Sequence, residues 1–530
     1  MHQGGAPSEP DGQTRRDFIR RVSVVGAAAV AVPTGLAACG GSSSSSSTST
    51  SQGTPKKGGI LRAAFSGGSS TDTIDGDNVI NNLDFARTYQ LYDSLVKYDE
   101  HGQIVNSLAE EITPNSDATM WTIHLRSGVE WHNGKPLDAD DVAFTFKRIV
   151  NPKSPLVGAP TLALLDVKNM KKVDKLTLQV PMHAPFSTFI ETLPNYTYFI
   201  VPVGFDLKHP IGTGPFKFKS FKPGQQSTFV RNDNYWNGAP YLDEIVISDY
   251  ADEQSQIDAI TSGQADIADF LSASSIATVQ NAGAKISIQA GGSMVPITMR
   301  TDVAPFNDVR VRQAMRLIID RQQMLNVVFL GHGIIGNDVV SYFDPSYDHS
   351  LPQRHQDLEQ AKSLLKQAGH ENLTTTFVTA PMGQGAVQSA QVLAQQAKAA
   401  GVTINLRQLT VTDFFGPNYL KWVFSQDTWQ AFPYFPMVAF GLLGTAPANE
   451  THFHDPQYES LYTQGLKTVD KDKRTQIAHD MQMIEYQRGG YIIPFFSPTI
   501  DAFAKNVMGT KEGKTGVPFN QHDYTKVWLA

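Results

Sequence analysis

Asp357-Leu358-Glu359-Gln360-Ala361-Lys362-Ser363-Leu364-Leu365-Lys366-Gln367-Ala368-Gly369 opens the stretch that decides the fold, which continues to Leu406. Its first four residues read as a capping box, in which the Asp357 side chain accepts a hydrogen bond from the amide three residues on. The helix so started is predicted to run to Ala368, with Gly369 as its stop. Thr374 to Val378 then reads as a strand, Val387 to Ala400 as a helix and Val402 to Leu406 as a strand. Helix–strand–helix–strand is the order of an α/β lobe, in which helices cover the apolar faces of a sheet.

The rest of the chain is mixed in the same way. Ile60 to Phe65 reads as a first strand, and Leu83 to Leu95 carries apolar residues at helical spacing. Thr119 to Leu125 alternates, with Trp121, Ile123 and Leu125 on one face, as a half-buried strand does. Asp138 can cap a helix whose first turn holds Asp140 and Asp141 at the positive end of the dipole, with Val142, Ala143, Phe146 and Ile149 inside. Ile257 to Ser262 closes at Gly263. Asn307 or Asp308 caps a helix that buries Val311, Ala314, Met315, Ile318 and Ile319. Tyr491 to Phe496 is a strand region in need of a sheet. No short-period repeat occurs.

Size and charge narrow the function. A chain of 530 residues allows about three domains. A net charge of −7 gives no support for a nucleic-acid partner. The sole cysteine is Cys39, so no disulfide can form within the chain. Cys39 ends a distinctive opening: Arg15 and Arg16 precede Asp17-Phe18-Ile19, a weakly apolar run follows from Val22, and Leu36-Ala37-Ala38-Cys39 closes it. Paired arginines before such a run match a twin-arginine export signal, and the run is too short and too broken by Pro33 and Gly35 for a membrane span. Leu-Ala-Ala-Cys resembles a lipoprotein lipobox, which makes Cys39 the expected lipidation site. Residues 40–57, rich in Ser and Gly, read as a flexible tether of about 20–25 Å. Residues 1–39 would then be signal, and the body would work outside the cytoplasm, anchored to the cell membrane through Cys39.

Few residues suggest bond-breaking chemistry. Gly509-x-x-x-Gly513-Lys514-Thr515 is one residue short of a phosphate loop, and neither a G-x-S-x-G elbow nor H-E-x-x-H occurs. His452 and His454, next to Asp455, are weak metal candidates, and a polar turn before a helix explains them as well. Between Tyr419 and Phe440 lie eight aromatic residues, among them Trp429, Phe432, Tyr434 and Phe435. Pro433 and Pro436 argue against a regular helix there. Such a segment suits either a pocket wall or a loop folded onto the core.

Several motifs then carry a family resemblance. Leu91-Tyr92-Asp93-Ser94-Leu95 with Leu108-Ala109-Glu110, the stretch from Trp121 to Arg148, Gly212-Thr213-Gly214-Pro215-Phe216, Asn232-Asp233-Asn234-Tyr235-Trp236, Asp308 to Met315 and Asp357 to Gly369 occur in the order found in the peptide/nickel-type (family 5) solute-binding proteins of bacterial ABC importers. The chain resembles that family from Gly58 onward. The resemblance implies an α/β, two-lobed periplasmic-binding-protein-like fold of class II (cluster C type), with an inserted domain and a cleft that closes about a hinge. It divides the chain into a discontinuous lobe I (58–95, 205–298 and 490–530), an inserted domain II (96–204) and a lobe III (299–489). It implies a monomer that captures a small solute between its lobes and delivers it to the permease subunits of an importer, with no cofactor and no catalysis.

In peptide-binding members the segment resembling Trp429-Gln430-Ala431-Phe432-Pro433-Tyr434-Phe435-Pro436 carries an aspartate that holds the ligand's ammonium. Phe432 stands at that place here, and Phe435 at a later aspartate of the pattern. A buried ammonium without a paired charge is very costly. The expectation is therefore a ligand other than a free peptide N-terminus, aromatic, apolar or sugar-like, held by Trp429, Gln430, Phe432, Tyr434, Phe435, Phe495 and Phe496. A nickel chelate at His452 or His454, a ligand sensor or peptide-holding chaperone of the same fold, and an exported lipoprotein hydrolase are the alternatives.

Overall fold

The computed structural model describes residues 53–530 except Ile80 and Gln384. Arg15, Arg16, Cys39 and most of the Ser/Gly-rich segment lie outside the described residues. Three sheets organise the body. The largest has seven strands in the order Lys285–Gln289, Thr499–Phe503, Ile267–Ala268, Ile60–Ser66, Glu244–Tyr250, Gln226–Arg231 and Phe216–Lys222. Ile60–Ser66 lies at its centre, parallel to both neighbours. Three of the chain's sections, far apart in sequence, therefore meet in one sheet.

The second sheet has five strands: Thr403–Gln408, Thr374–Thr379, Phe424–Gln426, Ile297–Met299 and Tyr491–Ile492. It contains the opening stretch of the sequence reading. Asp357 accepts from the Gln360 amide at 2.9 Å, the helix runs Leu358–Gln367, and Gly369 takes φ +76°. The strands Thr374–Thr379 and Thr403–Gln408 pair in parallel, as a crossover through the helix Ala386–Ala397 requires. A third sheet of four strands, Ala109–Pro114, Met120–Leu125, Thr177–Pro181 and Lys171–Lys172, packs under the helix Ala139–Ile149. That helix starts in a full capping box between Asp138 and Asp141.

Some elements differ from expectation. The helix begun near Leu83 ends at Leu91. The helix capped by Asp308 stops at Ile318; Ile319 is extended, and Asp320 caps a second helix, Arg321–Phe329. Tyr491–Ile492, a strand region in need of a sheet, finds it by pairing with Ile297 and Thr298 at the edge of the five-stranded sheet. A short helix, Tyr434–Met437, forms directly after Pro433, and it tolerates Pro436 because that residue falls in its first turn, where no intrahelical N–H is needed.

The motifs have structural reasons. Asp93 accepts hydrogen bonds from Thr213 Oγ1, Tyr235 OH and Trp236 Nε1, each at 2.9 Å, so one buried carboxylate joins three of them. Gly212 lies so close to the Leu91 carbonyl that a Cβ would sit 1.7 Å from its oxygen. Asp338 is a second buried hub. It accepts from Arg321 Nη2 and Arg354 Nε at 2.8 Å and from the Ile493 amide at 3.0 Å. Burial works against its charge, and the guanidiniums of Arg321, Arg354 and Arg316 outweigh burial and hold the carboxyl below its usual range. Asp338→Asn leaves those cations without their counter-charge, and breaking such a buried pair costs about 3–5 kcal/mol. Urea denaturation of the variant should show a loss of that size; a loss under about 1 kcal/mol would contradict the hub role.

Candidate ligand-binding site

A cavity of about 430 Å³ opens between segments distant in sequence: 98–104, 190–191, 341–346, 431–435, 471–475 and residue 515. That volume falls in the range of sites that enclose a small organic solute. Its wall is built from the aromatic segment outward. Trp429 exchanges backbone hydrogen bonds with Met294 at 2.8 and 2.9 Å, which anchors the chain to the core. Its indole donates to Glu450 Oε1 at 2.8 Å, turning the ring inward. Residues 430–433 then pass along the cavity. The Tyr434 amide donates to Asp344 Oδ2 at 2.8 Å, which ties this segment to the loop of Tyr342, Phe343 and Asp344. Tyr434 OH (2.5 Å) and Tyr458 OH (2.7 Å) both donate to Glu485 Oε1 and hold the short helix from behind.

Of the expected site residues, Phe432 and Phe435 line this cavity. Gln430 lines a smaller adjoining one. Trp429, Tyr434, Phe495 and Phe496 line neither: they are 7%, 0%, 0% and 0% exposed and belong to the core. Phe495 and Phe496 are consumed in a two-stranded pairing with Ile334–Ile335. The reading of these four as ligand contacts is thus corrected to a supporting position behind the wall. His452 Nε2 lies 2.8 Å from the Leu420 carbonyl, and His454 Nδ1 lies 2.8 Å from Glu459. Each is engaged in its own turn, and among the described residues no group of three or more His, Cys, Asp or Glu could hold a metal.

Sequence reasoning missed Tyr98, Glu191, Tyr342, Phe343, Asp344 and Arg474, all of which line the cavity. The missed acids change its chemistry. Asp344 Oδ1 accepts from the Ser346 amide and hydroxyl at 2.7 and 2.6 Å. No basic side chain among the described residues forms an ion pair with Asp344. Glu191 accepts from Arg474 Nη2 at 2.6 Å. Burial pushes the Glu191 carboxyl up to about 6, against the pull of Arg474 and with further help from the negative charge of Asp344. Lys471, exposed at the rim, adds a positive charge nearby. The cavity therefore combines aromatic walls with one carboxylate that lacks a cationic partner, which suits an amphipathic solute with a basic or donor group.

The family model for bacterial extracellular solute-binding proteins, family 5 (middle), matches residues 103–451. The chain belongs to this family. This solute-binding protein is 25% identical over 451 residues to heme-binding protein A of Haemophilus influenzae, covering 77% of this chain and 82% of that one. It is 24% identical over 469 residues to the dipeptide-binding protein of Escherichia coli, covering 80% and 87%. The crystal structure of the ABC transporter substrate-binding protein CtaP of Listeria monocytogenes superposes with a TM-score of 0.78 at 21% identity, covering 89% of this chain and all of that one. The fold is accordingly the two-lobed α/β fold of the family. The solute-binding protein works outside the cytoplasm as the capture component of an ABC importer, and the family's role is binding rather than catalysis. Among the described residues no helix is long and apolar enough to cross a membrane.

Glu191 makes the folded solute-binding protein pH-sensitive. Its folded value of about 6 lies above the ordinary 4.5, so between these values the folded state keeps a proton that the unfolded chain has lost. The contribution to stability is full below about pH 4.5, falls as pH rises to about 6 and is then constant, a change on the order of 2 kcal/mol. Chemical denaturation across that window should show this fall in the wild type and a flatter profile in Glu191→Gln; identical profiles would contradict the assignment.

Proposed function

We propose that this solute-binding protein is a monomer, lipidated on Cys39 after export directed by Arg15 and Arg16, that captures an amphipathic solute in the cavity beside Phe432 and hands it to the permease subunits of its importer. The carrying observation is the cavity itself: about 430 Å³, lined by segments of all three parts of the expected domain division. A solute that touches several parts at once favours the closed arrangement by its differential contacts. The Ser/Gly-rich segment would hold the body near the membrane, and a diacyl-type lipid would anchor it stably where one chain would not.

The solute's chemistry follows from the walls. Its apolar face packs on Phe432, Phe435 and Tyr98, and a basic group faces Asp344. The expectation that excluded free amino groups rested on the absence of an acid near Phe432. Asp344 removes that objection, since its carboxylate reaches the same cavity from a loop 88 residues earlier. Short amphipathic peptides with free N-termini are therefore among the solutes this cavity suits, ahead of a neutral sugar.

A thermal-shift screen of the mature protein with short aromatic peptides, free and N-acetylated, tests this reading. Free peptides should raise the unfolding temperature, and N-acetylation or Asp344→Asn should abolish the rise. Equal shifts from acetylated and free peptides would contradict the role given to Asp344.

A further inference from the structure

A second cavity of about 40 Å³ adjoins the first. Tyr98, Phe432 and Thr515 line both, so a solute in the larger space lies against the mouth of the smaller. Gln430, Asn195 and Gln521 line the annex behind them. Gln521 is 4% exposed, and its Nε2 has no hydrogen-bond partner among the described residues. Thr515 Oγ1, on the shared wall, is also unpartnered, with Thr515 8% exposed. A buried donor left unpaired is costly, and an acceptor placed against it removes that cost.

The backbone that delivers Gln521 is strained as well. In the turn Pro518–His522, Phe519, Gln521 and His522 take φ of +50°, +65° and +59°. Non-glycine residues in that region are strained and persist only where their surroundings over-determine them. His522 supplies the restraint. Its Nε2 lies 2.9 Å from Asn82 Oδ1, its carbonyl accepts from Gln90 Nε2 at 3.0 Å, and its ring packs on Phe65 and Phe85. Burial drives the imidazole down to about 3, so it is neutral there. The turn is thus clamped from behind while its forward residue, Gln521, faces the annex with an unused donor.

Chemistry selects the occupant. A water needs roughly 10–15 Å³ of such space, so the annex takes about three to four heavy atoms. An ammonium offers no acceptor to Gln521. A carboxylate would lie near Glu191, which also lines the annex and whose cation, Arg474, is already engaged. A neutral acceptor group remains. We propose that the annex is a specificity pocket for a small uncharged hydrogen-bond acceptor, a carboxamide or a hydroxyl, carried by the solute in the main cavity. This rests on the reading of that cavity as the solute site, but the annex can be probed without the solute.

Crystals of the wild type and of Gln521→Leu are soaked in acetamide, acetate and acetamidinium, which are alike in size and differ in charge. Acetamide should occupy the annex of the wild type with its oxygen within hydrogen-bond distance of Gln521 Nε2, and should be lost in the variant. Acetate and acetamidinium should leave it to water. An annex that holds only water in acetamide, or that takes the charged probes equally well, overturns the proposal. The unfolding temperature of Gln521→Leu separates the pocket from a structural role. Removing an unpaired donor should leave it equal or higher, and a clear fall would assign Gln521 to the fold and overturn the pocket. If acetamide binds the annex while no peptide binds the main cavity, the reading of the solute fails and the pocket stands.

Discussion

The hydrogen bond from the Tyr434 amide to Asp344 is the interaction on which the cavity depends. Pro433 sets the start of the short helix, and the amide of the next residue is one of the orphan donors that every helix start leaves. Asp344 accepts it at 2.8 Å. One bond therefore caps a helix, fastens the aromatic segment to a loop 90 residues away in sequence and fixes a carboxylate in an aromatic cavity. Behind it, Tyr434 and Tyr458 share the Glu485 carboxyl, which burial pushes up to about 7. The wall is braced by buried side chains, Tyr458 and Glu485 among them on the long helices Pro456–Lys467 and Lys471–Arg488, and the groups left over on its open face are those a solute would meet.

The fold was legible wherever local chemistry was self-sufficient. Caps at Asp138, Asp308 and Asp357, the alternation of Trp121, Ile123 and Leu125, and the parallel pair joined by the helix Ala386–Ala397 are all present, although the Asp357 amide donates to the Leu317 carbonyl and so leaves its capping box half made. What the sequence left open was the destination of short segments. Tyr491–Ile492 is too brief to show which sheet it joins; its partner, Ile297–Met299, is settled by packing far along the chain. The break at Ile319 was hidden because the apolar spacing runs through it, while Asp320 starts a new cap.

The site was half legible for a related reason. Aromatic residues beside prolines marked the correct segment, and Phe432 and Phe435 face the cavity. Spacing could not say which rings turn inward, because that depends on Glu450 and Glu485, which draw Trp429 and Tyr434 into the core. Nor could a search for an acid near Phe432 in sequence find Asp344 or Glu191, which arrive from other loops.

A receptor of this kind acts by shifting a population, so its central requirement is a solute that fills the cavity and touches its separate parts. Native mass spectrometry of the mature protein, after exposure to a bacterial metabolite extract, measures that directly. The wild type should carry a bound solute of small-molecule mass, and Ala431→Trp, which fills the cavity while leaving its supports intact, should carry none. The same adduct on both proteins, or the bare polypeptide mass for the wild type, would contradict the account.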